Sequence, residues 1–286
     1  MMNKFMKTIA LSMAMLCLGA GAAGAAQFSD AQSGKNLTAA QMAQRLQKYD
    51  IVFFGEFHDQ GEIHQSEIDL LQAMHKLKGA KLALSMEMFE ADNQDKLNKF
   101  LAGALSEENF LATARPWPNY KTDYAPLVNF AKEKKMPVVA ANVPRFLAAH
   151  VAKNNASTEG IAEQYLQWLP KHTYAPEGAY KDKFYAHMNS PEAPMKMPPA
   201  RLAAVYAAQC LKDDKMAESI AAFADAHQNM QILHINGCFH SDAHLGTAQK
   251  LEALRPKLKV AVITPLERKQ KGAQPAGDFV VWFDRK

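Results

Sequence analysis

The sequence IVFFGEFH at residues 51–58 contains the pattern from which the fold is predicted. Its first four residues are apolar and either β-branched or aromatic, which is typical of a strand buried on both faces. Similar runs recur at residues 82–86, 138–141, 231–235, 259–263 and 279–283. Each of these runs also predicts a buried strand.

Helical spacing of apolar residues separates the runs. The pattern holds between the first two strands at Ile63, Leu70, Leu71, Met74 and Leu77, and between the second and third at Leu97, Leu101, Leu127 and Phe130. Alternation of buried strands with amphipathic helices is typical of a parallel sheet covered on both faces. The sequence therefore predicts an α/β fold with a mainly parallel β-sheet flanked by helices.

A long insertion interrupts this alternation. About ninety residues separate the third and fourth strands, many more than one crossover helix requires. Six of the 14 prolines lie between Pro170 and Pro199, where they favour short helices and turns, and residues 201–226 then predict one long helix. We therefore expect an inserted all-helical subdomain at residues 145–229, and an α/β sheet domain made of residues 27–144 and 230–286.

The composition is that of an ordinary globular protein, with 48% hydrophobic and 22% charged residues. It excludes a disordered chain, a collagen-like repeat and a disulfide-dense miniprotein. The formal net charge is only +4, and the chain contains no basic run. We therefore expect no nucleic-acid partner.

Residues 1–26 have the pattern of a secretory signal peptide. A short basic start with Lys4 and Lys7 is followed by an apolar stretch and by small residues that end in an A-x-A cleavage signal. The apolar stretch is shorter than the ~20 residues that a membrane-spanning helix needs. We expect an exported protein, periplasmic in a Gram-negative host. Lipid attachment at Cys17 is the less favoured alternative, because Leu16 stands where lipoprotein signals usually carry a small residue.

Two cysteines, Cys210 and Cys238, follow the signal segment. In an oxidising compartment they form either one disulfide or two buried thiols, and the sequence does not distinguish these alternatives.

Polar side chains follow four of the predicted strands. They are Glu56 and His58 after the first, Glu87 after the second, Asn142 after the third and His240 after the fourth. The carboxyl ends of parallel strands share one edge of the sheet, so we expect these side chains to meet in one site. Taken one at a time, a Glu at a strand end is more often a helix-capping or rim residue, and a lone His more often bonds a backbone carbonyl.

Two kinds of chemistry fit this set. Two close carboxylates require a cation or a proton between them. The first possibility is therefore a Zn²⁺ or Mn²⁺ site, whose ligand types are present as Glu56, His58, Glu87 and His240. Alternatively, they act as general acid and base while Asn142 polarises a carbonyl. His64 and His244 are further candidates as ligands or as supporting residues. After residue 26 the chain lacks the common zinc-protease, serine-hydrolase, P-loop and dinucleotide motifs.

The predicted helical insertion offers a second kind of chemistry. Aromatic and sulfur residues able to ligate haem iron alternate with basic residues able to pair with propionates: Tyr165, His172, Tyr174, Tyr180, Tyr185, His187, Tyr206 and Met216, with Lys171, Lys181, Lys183 and Arg201. On composition alone, core aromatics and a solvated basic face are the better explanation of this set. The long helix places Gln209 and Asp213 on its apolar stripe, which predicts a polar interface between insertion and sheet.

Several of these motifs resemble the ChaN-like haem-binding proteins, relatives of the Tiki proteases, TraB/PrgY proteins and erythromycin esterases. They are Gly55-Glu56-Phe57-His58, Ser85-Met86-Glu87-Met88-Phe89, Ala140-Ala141-Asn142, the run AQCLKDDKMA at 208–217 and Gly237-x-x-His240. The resemblance covers nearly all of the chain after about Leu37.

This resemblance implies haem binding during iron uptake, with a tyrosine as iron ligand and haems stacked across a homodimer. Tyr180 is then the first candidate ligand and Tyr174 the second, with His172 and Arg201 as further haem contacts. It also implies an outer-membrane haem uptake system as partner. Finally, it places Glu56, His58, Glu87 and His240 at the hydrolytic site of the superfamily.

Two hypotheses from different classes follow from the sequence. The first is a haem-binding protein of the cell envelope. The second is a hydrolase of amide or ester bonds, metal-dependent or acid–base, that uses Glu56, His58, Glu87, Asn142 and His240.

Overall fold

A computed structural model describes residues 27–191, 196–270 and 272–285. One eight-stranded sheet is its centre. The strands are β1 (Phe28–Asp30), β2 (Asn36–Leu37), β3 (Ile51–Glu56), β4 (Leu82–Glu90), β5 (Val138–Asn142), β6 (Gln231–Gly237), β7 (Val260–Glu267) and β8 (Phe279–Phe283). All six strands predicted from apolar runs are present, and most of them extend further than the runs.

The strand order is β2-β1-β8-β7-β3-β6-β4-β5. From β8 to β5 every neighbouring pair is parallel, whereas β1 pairs antiparallel with β2 and β8. The mainly parallel α/β sheet predicted from the sequence is therefore confirmed. The two short antiparallel strands β1 and β2 were not predicted, because three and two residues are too few to show a periodic pattern.

Helices cover both faces of the sheet. They are α1 (Ala39–Leu46), α2 (Gly61–Lys78), α3 (Gln94–Leu101), α4 (Glu107–Thr113), α5 (Ala125–Glu133), α6 (Arg145–Lys153), α7 (Glu163–Leu166), α8 (Ala179–Met188), α9 (Pro199–Ala226) and α10 (Thr247–Leu254). The side chains of β3 alternate between the two faces of the sheet. Val52 and Phe54 join the core under α2 and α5, while Ile51 and Phe53 pack with α9 and α10.

Helix α9 connects the predicted helical insertion to the sheet. It begins two residues before the predicted start, with Pro199 at its first position, where proline needs no hydrogen-bond donor. Its first half packs on α6 through Ala208 and Leu211. Its second half packs on the sheet, where Met216 contacts the core of β5. The insertion thus shares a helix with the sheet core, and the division at residues 145 and 229 stays a prediction.

The predicted signal peptide and Cys17 lie outside the described residues. Within the described ranges, no helix is both long enough and apolar enough to cross a membrane. Cys210 and Cys238 are both free thiols. Burial raises the pKa of Cys210 to about 12, so this thiol stays protonated at neutral pH.

His244 joins the loop after β6 to two other parts of the fold. Its Nδ1 lies 2.7 Å from Glu252 on α10, and its Nε2 lies 3.0 Å from Asp278 before β8. Its contact with Asp278, reinforced by Glu252, raises the pKa of His244 to about 9. The sequence proposed it as a ligand or supporting residue, and the structure places it in this ion-pair network.

We expect the stability that His244 contributes to depend on pH. Because its folded pKa exceeds its ordinary value of 6.5, the contribution is complete below that pH and is lost as the pH rises towards about 9. After allowing for solvent screening, His244→Gln should cost about 1 kcal/mol of unfolding free energy near pH 6 and almost nothing near pH 10. Urea denaturation at both pH values measures this. A loss that is the same at both pH values, or one matched by the exposed His172→Gln control, would contradict it.

Candidate functional site

A cavity of about 820 Å³ lies where the carboxyl ends of β3, β4, β5 and β6 meet the residues of the predicted helical insertion, which we call the helical segment. The sheet side contributes Glu56, Glu87, Asn142, Gly237 and His240. The helical side contributes residues of α8 and α9, which are Phe184, His187, Met188, Val205, Gln209 and Lys212. We refer to this cavity as the cleft. Such a cavity is within the size range of small-molecule and cofactor sites, roughly 300–1,000 Å³.

The first Glu/His pair of the cleft follows strand β3. Glu56 is the last residue of the strand and is fully buried, whereas 42% of the His58 side chain is exposed. Glu56 Oε1 lies 2.5 Å from His58 Nδ1 and also accepts a hydrogen bond of 2.8 Å from the Tyr124 hydroxyl. These two contacts fix the carboxylate and leave the other edge of the His58 ring facing the cleft.

The second Glu/His pair joins β4 to the loop after β6. Glu87 lies inside β4, where its Oε2 accepts a 2.8 Å hydrogen bond from the Gly237 backbone N–H. Its Oε1 lies 3.3 Å from His240 Nε2. Because both side chains are nearly fully buried, this contact is shielded from solvent.

Asp213 of α9 supports the second pair from the helical side. Its Oδ1 lies 2.6 Å from His240 Nδ1, and the same oxygen accepts a hydrogen bond from Thr247. Its Oδ2 accepts a 2.6 Å hydrogen bond from the Tyr180 hydroxyl. Gln209, one turn earlier, lies 3.3 Å from His240 Nε2. The predicted polar interface between insertion and sheet is confirmed.

Gly237 leaves room for the two pairs to approach each other. A methyl group at its Cα would lie 2.8 Å from His58 Nε2 and 3.7 Å from Glu87 Oε2. Glycine is therefore required for His58 to occupy its position beside Glu87. All five residues predicted for a hydrolase border this one cleft, and their catalytic role stays a prediction.

The electrostatics of the cleft favour carboxylate anions beside imidazolium cations. Burial would raise the pKa of Glu56, but its hydrogen bond with His58 and the 3.2 Å contact of its other oxygen with His64 outweigh burial and lower the pKa. Burial likewise opposes the shift at Glu87, yet His240 and His58 lower its pKa to about 2. Against the effect of burial, Glu87 and Asp213 raise the pKa of His240 to about 10. Against burial again, Glu56 and Glu87 raise the pKa of His58.

The residues predicted to contact haem are spread over the helical segment. Tyr180 is buried, and its hydroxyl donates to Asp213. Tyr174 is 65% exposed, and His172 beside it is exposed as well. Arg201 is exposed and donates to the backbone carbonyl of Ala152. None of these four is among the residues that line the cleft, and their haem contacts stay predictions.

Two residues that contact the predicted site residues were not singled out as site residues from the sequence. Asp213 was placed only at an interface, although it contacts the predicted site residue His240. Glu67 of α2 was missed altogether. The sequence feature that could have identified it is its position on the apolar stripe of Ile63, Leu70, Leu71 and Met74. A buried carboxylate there is costly unless it is paired or hydrogen-bonded. With Glu56 and His64, it forms a compact group of potential metal ligands whose ligand atoms lie within 4.8 Å of one another.

These features define an α/β protein with a cleft at the carboxyl edge of a parallel sheet, where two Glu/His pairs converge. The chain belongs to the family described as haem-binding uptake, Tiki superfamily, ChaN, whose model matches residues 42–251. The match spans four of the eight strands, β3 to β6, and the whole helical segment, and it confirms the resemblance found in the sequence. No curated protein matches the sequence.

Several solved structures are similar to this chain, and the first described here shows the same fold. A structure described as cofacial heme binding to ChaN of Campylobacter jejuni has a TM-score of 0.67 and 18% sequence identity, and the alignment covers 88% of this chain and 94% of that one. An erythromycin esterase mutant, EreC, in its open conformation has a TM-score of 0.49 and 12% identity, with 87% and 81% covered. The type III effector HopBA1 has a TM-score of 0.44 and 12% identity, with 87% and 94% covered.

We expect Asp213→Asn to destabilise the protein and to lower the pKa of His240. The substitution removes a buried charge facing His240, and breaking such a pair costs about 3 kcal/mol or more. Urea denaturation measures the loss, and NMR titration of the imidazole measures the pKa. The control is Asp225→Asn, which breaks the exposed pair with Arg255 and should change little. Equal losses in the two variants would contradict the supporting role of Asp213.

Proposed function

We propose that this chain is a haem-binding protein of the cell envelope that takes part in haem or iron uptake. The observation that carries the proposal is its membership of a haem-binding uptake family over residues 42–251. The signal-peptide pattern of residues 1–26 supports export to the periplasm, where we propose that the protein operates beside an outer-membrane haem uptake system. Haem is the cofactor or cargo that the proposal requires.

The cleft is the first proposed location of the haem. Haem combines a flat apolar ring with carboxylate side chains, so its site needs apolar walls and nearby basic groups. The walls include Phe57, Trp117, Phe184, Val205 and Phe239. Histidine and methionine, both haem-ligating residue types, are present there as His58, His187 and Met188.

Basic residues at the cleft suit the haem propionates. Arg145 at the start of α6 and Lys212 of α9 both border it. The Arg145 side chain is 61% exposed, and its Nε lies 3.4 Å from Glu90 Oε1. An exposed guanidinium with one carboxylate neighbour retains donors for a second anion.

The exposed segment around Tyr174 is the second proposed location. Its backbone is held in place, because the Tyr174 N–H donates to Asp214 Oδ2 over 2.9 Å and Lys250 donates to the Tyr174 carbonyl. Haem bound to an exposed tyrosine would leave one face open to a haem on a second copy of the chain. That arrangement supports the proposed homodimer, as the related Campylobacter jejuni protein binds heme cofacially. Tyr180 serves as iron ligand only if its hydroxyl leaves Asp213.

We expect ferric haem to bind the mature protein saturably, with a shift of the Soret band. If the cleft holds the haem, the double variant Arg145→Glu/Lys212→Glu should weaken binding at least tenfold, because charge-assisted contacts contribute about 1.5–3 kcal/mol each. Lys153→Glu, which reverses an exposed charge on the same helix as Arg145, is the matched control. Absence of saturable binding at micromolar haem would refute the proposed function.

Tyrosine variants separate the two locations. Tyr174→Phe should remove the spectrum of a tyrosinate-ligated haem if the exposed segment holds the iron, while Tyr165→Phe, at another exposed tyrosine, should not. Tyr180→Phe tests the buried candidate. If Tyr174→Phe and Tyr180→Phe both retain the wild-type spectrum while the double charge reversal weakens binding, the cleft is the site.

A hydrolase of amide or ester bonds is the second candidate function. The observation that favours it is the convergence of Glu56–His58 and Glu87–His240 around Gly237, which haem binding does not require. The charges of the two pairs support the following roles. An ionised Glu87 or Glu56 would act as general base on a water molecule, and the His58 or His240 imidazolium would act as general acid or stabilise the oxyanion.

For this candidate we expect turnover in an esterase and peptidase screen that is lost in Glu56→Gln and Glu87→Gln. Glu133→Gln, at an exposed carboxylate, is the control. The rate should decline on the alkaline side, because the raised pKa values of His58 and His240 make the imidazolium the form that is lost as the pH rises. A rate that falls on the acid side near the ordinary histidine pKa would contradict these roles, and full activity in both Glu variants would refute the candidate.

A further inference from the structure

A second layer of polar residues lies behind the carboxylate of Glu56. Its Oε1 faces His58 and Tyr124, whereas its Oε2 lies 3.2 Å from Nδ1 of His64 on α2. The same His64 nitrogen lies 3.2 Å from Oε2 of Glu67, one turn further along the helix. Glu67 is fully buried, and His64 is 5% exposed. Three potential metal ligands thus lie together behind the cleft, with the Nδ1 atom of His64 within 3.2 Å of both carboxylates.

Two oxygens of this group lack a hydrogen bond. Within the described ranges, Glu56 Oε2 and Glu67 Oε1 are buried without a hydrogen-bond partner. An unsatisfied buried polar atom costs about 1–3 kcal/mol, and more where the group is charged. Both carboxylates are buried and reach the same His64 nitrogen, so a proton or a cation must lie between them. A cation held by Glu56 Oε2 and by both oxygens of Glu67 would leave neither atom unpartnered.

We propose that Glu56, His64 and Glu67 form a binding site for a divalent transition-metal ion of the Zn²⁺ or Mn²⁺ type. This site is distinct from the set Glu56, His58, Glu87 and His240 predicted from the sequence, with which it shares only Glu56. It does not depend on haem binding or on hydrolysis. One imidazole and two carboxylates are a ligand set that such ions accept, leaving a further coordination position open.

The distances match this assignment. Zn–N and Zn–O bonds of about 2.1 Å at tetrahedral angles separate two ligand atoms by roughly 3.4 Å. His64 Nδ1 lies 3.2 Å from an oxygen of each carboxylate. The full group lies within 4.8 Å, so the third edge closes by a small side-chain movement.

The other nitrogen of His64 supports the same assignment. Its Nε2 lies 3.3 Å from the backbone carbonyl oxygen of His58. A histidine that ligates a metal through one nitrogen usually donates its other N–H to a carbonyl or carboxylate, which fixes the ring and its tautomer. His64 therefore faces two carboxylates with Nδ1 and such an acceptor with Nε2. Because Glu56 belongs to both groups, an ion here would also fix the carboxylate that holds His58.

The test is metal binding by the protein without its predicted signal peptide, residues 27–286. After chelator treatment and dialysis, the protein is titrated with Zn²⁺ and Mn²⁺ against a colorimetric chelator, and the retained metal is measured by mass spectrometry. We expect about one equivalent of tightly bound metal. Substitution by Co²⁺ should give visible absorption bands, a readout independent of any activity.

Matched variants distinguish this site from the cleft. Glu67→Gln and His64→Gln should each lower the metal affinity at least tenfold, while Glu87→Gln and His240→Gln should leave it unchanged. Circular dichroism checks that each variant is folded. If Glu67→Gln does not fold, the wild-type Co²⁺ spectrum and His64→Gln still decide the question. Absence of tight metal in the wild type, or loss in the Glu87 and His240 variants with retention in His64→Gln, would overturn the proposal.

Discussion

The buried contact between Asp213 and His240 is the interaction on which the arrangement of the cleft depends. The two side chains come from elements on opposite sides of the cleft, and their Oδ1 and Nδ1 atoms are 2.6 Å apart. Because Asp213 also holds Tyr180 and Thr247, one carboxylate joins α8, α9 and α10 to the loop after β6. The contact cannot be exchanged for water at low cost, since Asp213 is fully buried and would remain as an unpaired charge.

Glu56 couples the cleft to the layer behind it. One carboxylate oxygen faces His58, whose ring reaches the cleft, and the other faces His64, which does not line it. Any charge placed behind Glu56 therefore acts on His58 through a single carboxylate in a low-dielectric interior. A cation bound at Glu67 would keep Glu56 ionised and oriented towards His58.

The sequence predicts the fold better than it predicts the site. The apolar runs locate the six strands of the parallel part of the sheet, because a strand buried on both faces must be continuously apolar. The edge position of Glu56, Glu87 and His240 follows from parallel topology. Helical spacing placed Asp213 at an interface but did not predict that its partner is His240. Contacts between a helix and a distant loop depend on tertiary packing, which the sequence pattern does not show. The same limit applies to Tyr180. Its residue type fits a haem ligand, but the sequence could not show that its hydroxyl donates to Asp213.

The two proposed functions compete for the same space when haem occupies the cleft. A ring packed on Phe184 and Phe239 would cover the approach to His58 and Glu87, since all four side chains border one cavity. Hydrolysis and haem binding would then exclude each other. Haem held at the exposed Tyr174 would leave the cleft open, so both functions could coexist on one chain. The location of the haem therefore determines whether the Glu/His pairs serve as a wall of its site or as a separate centre with its own substrate.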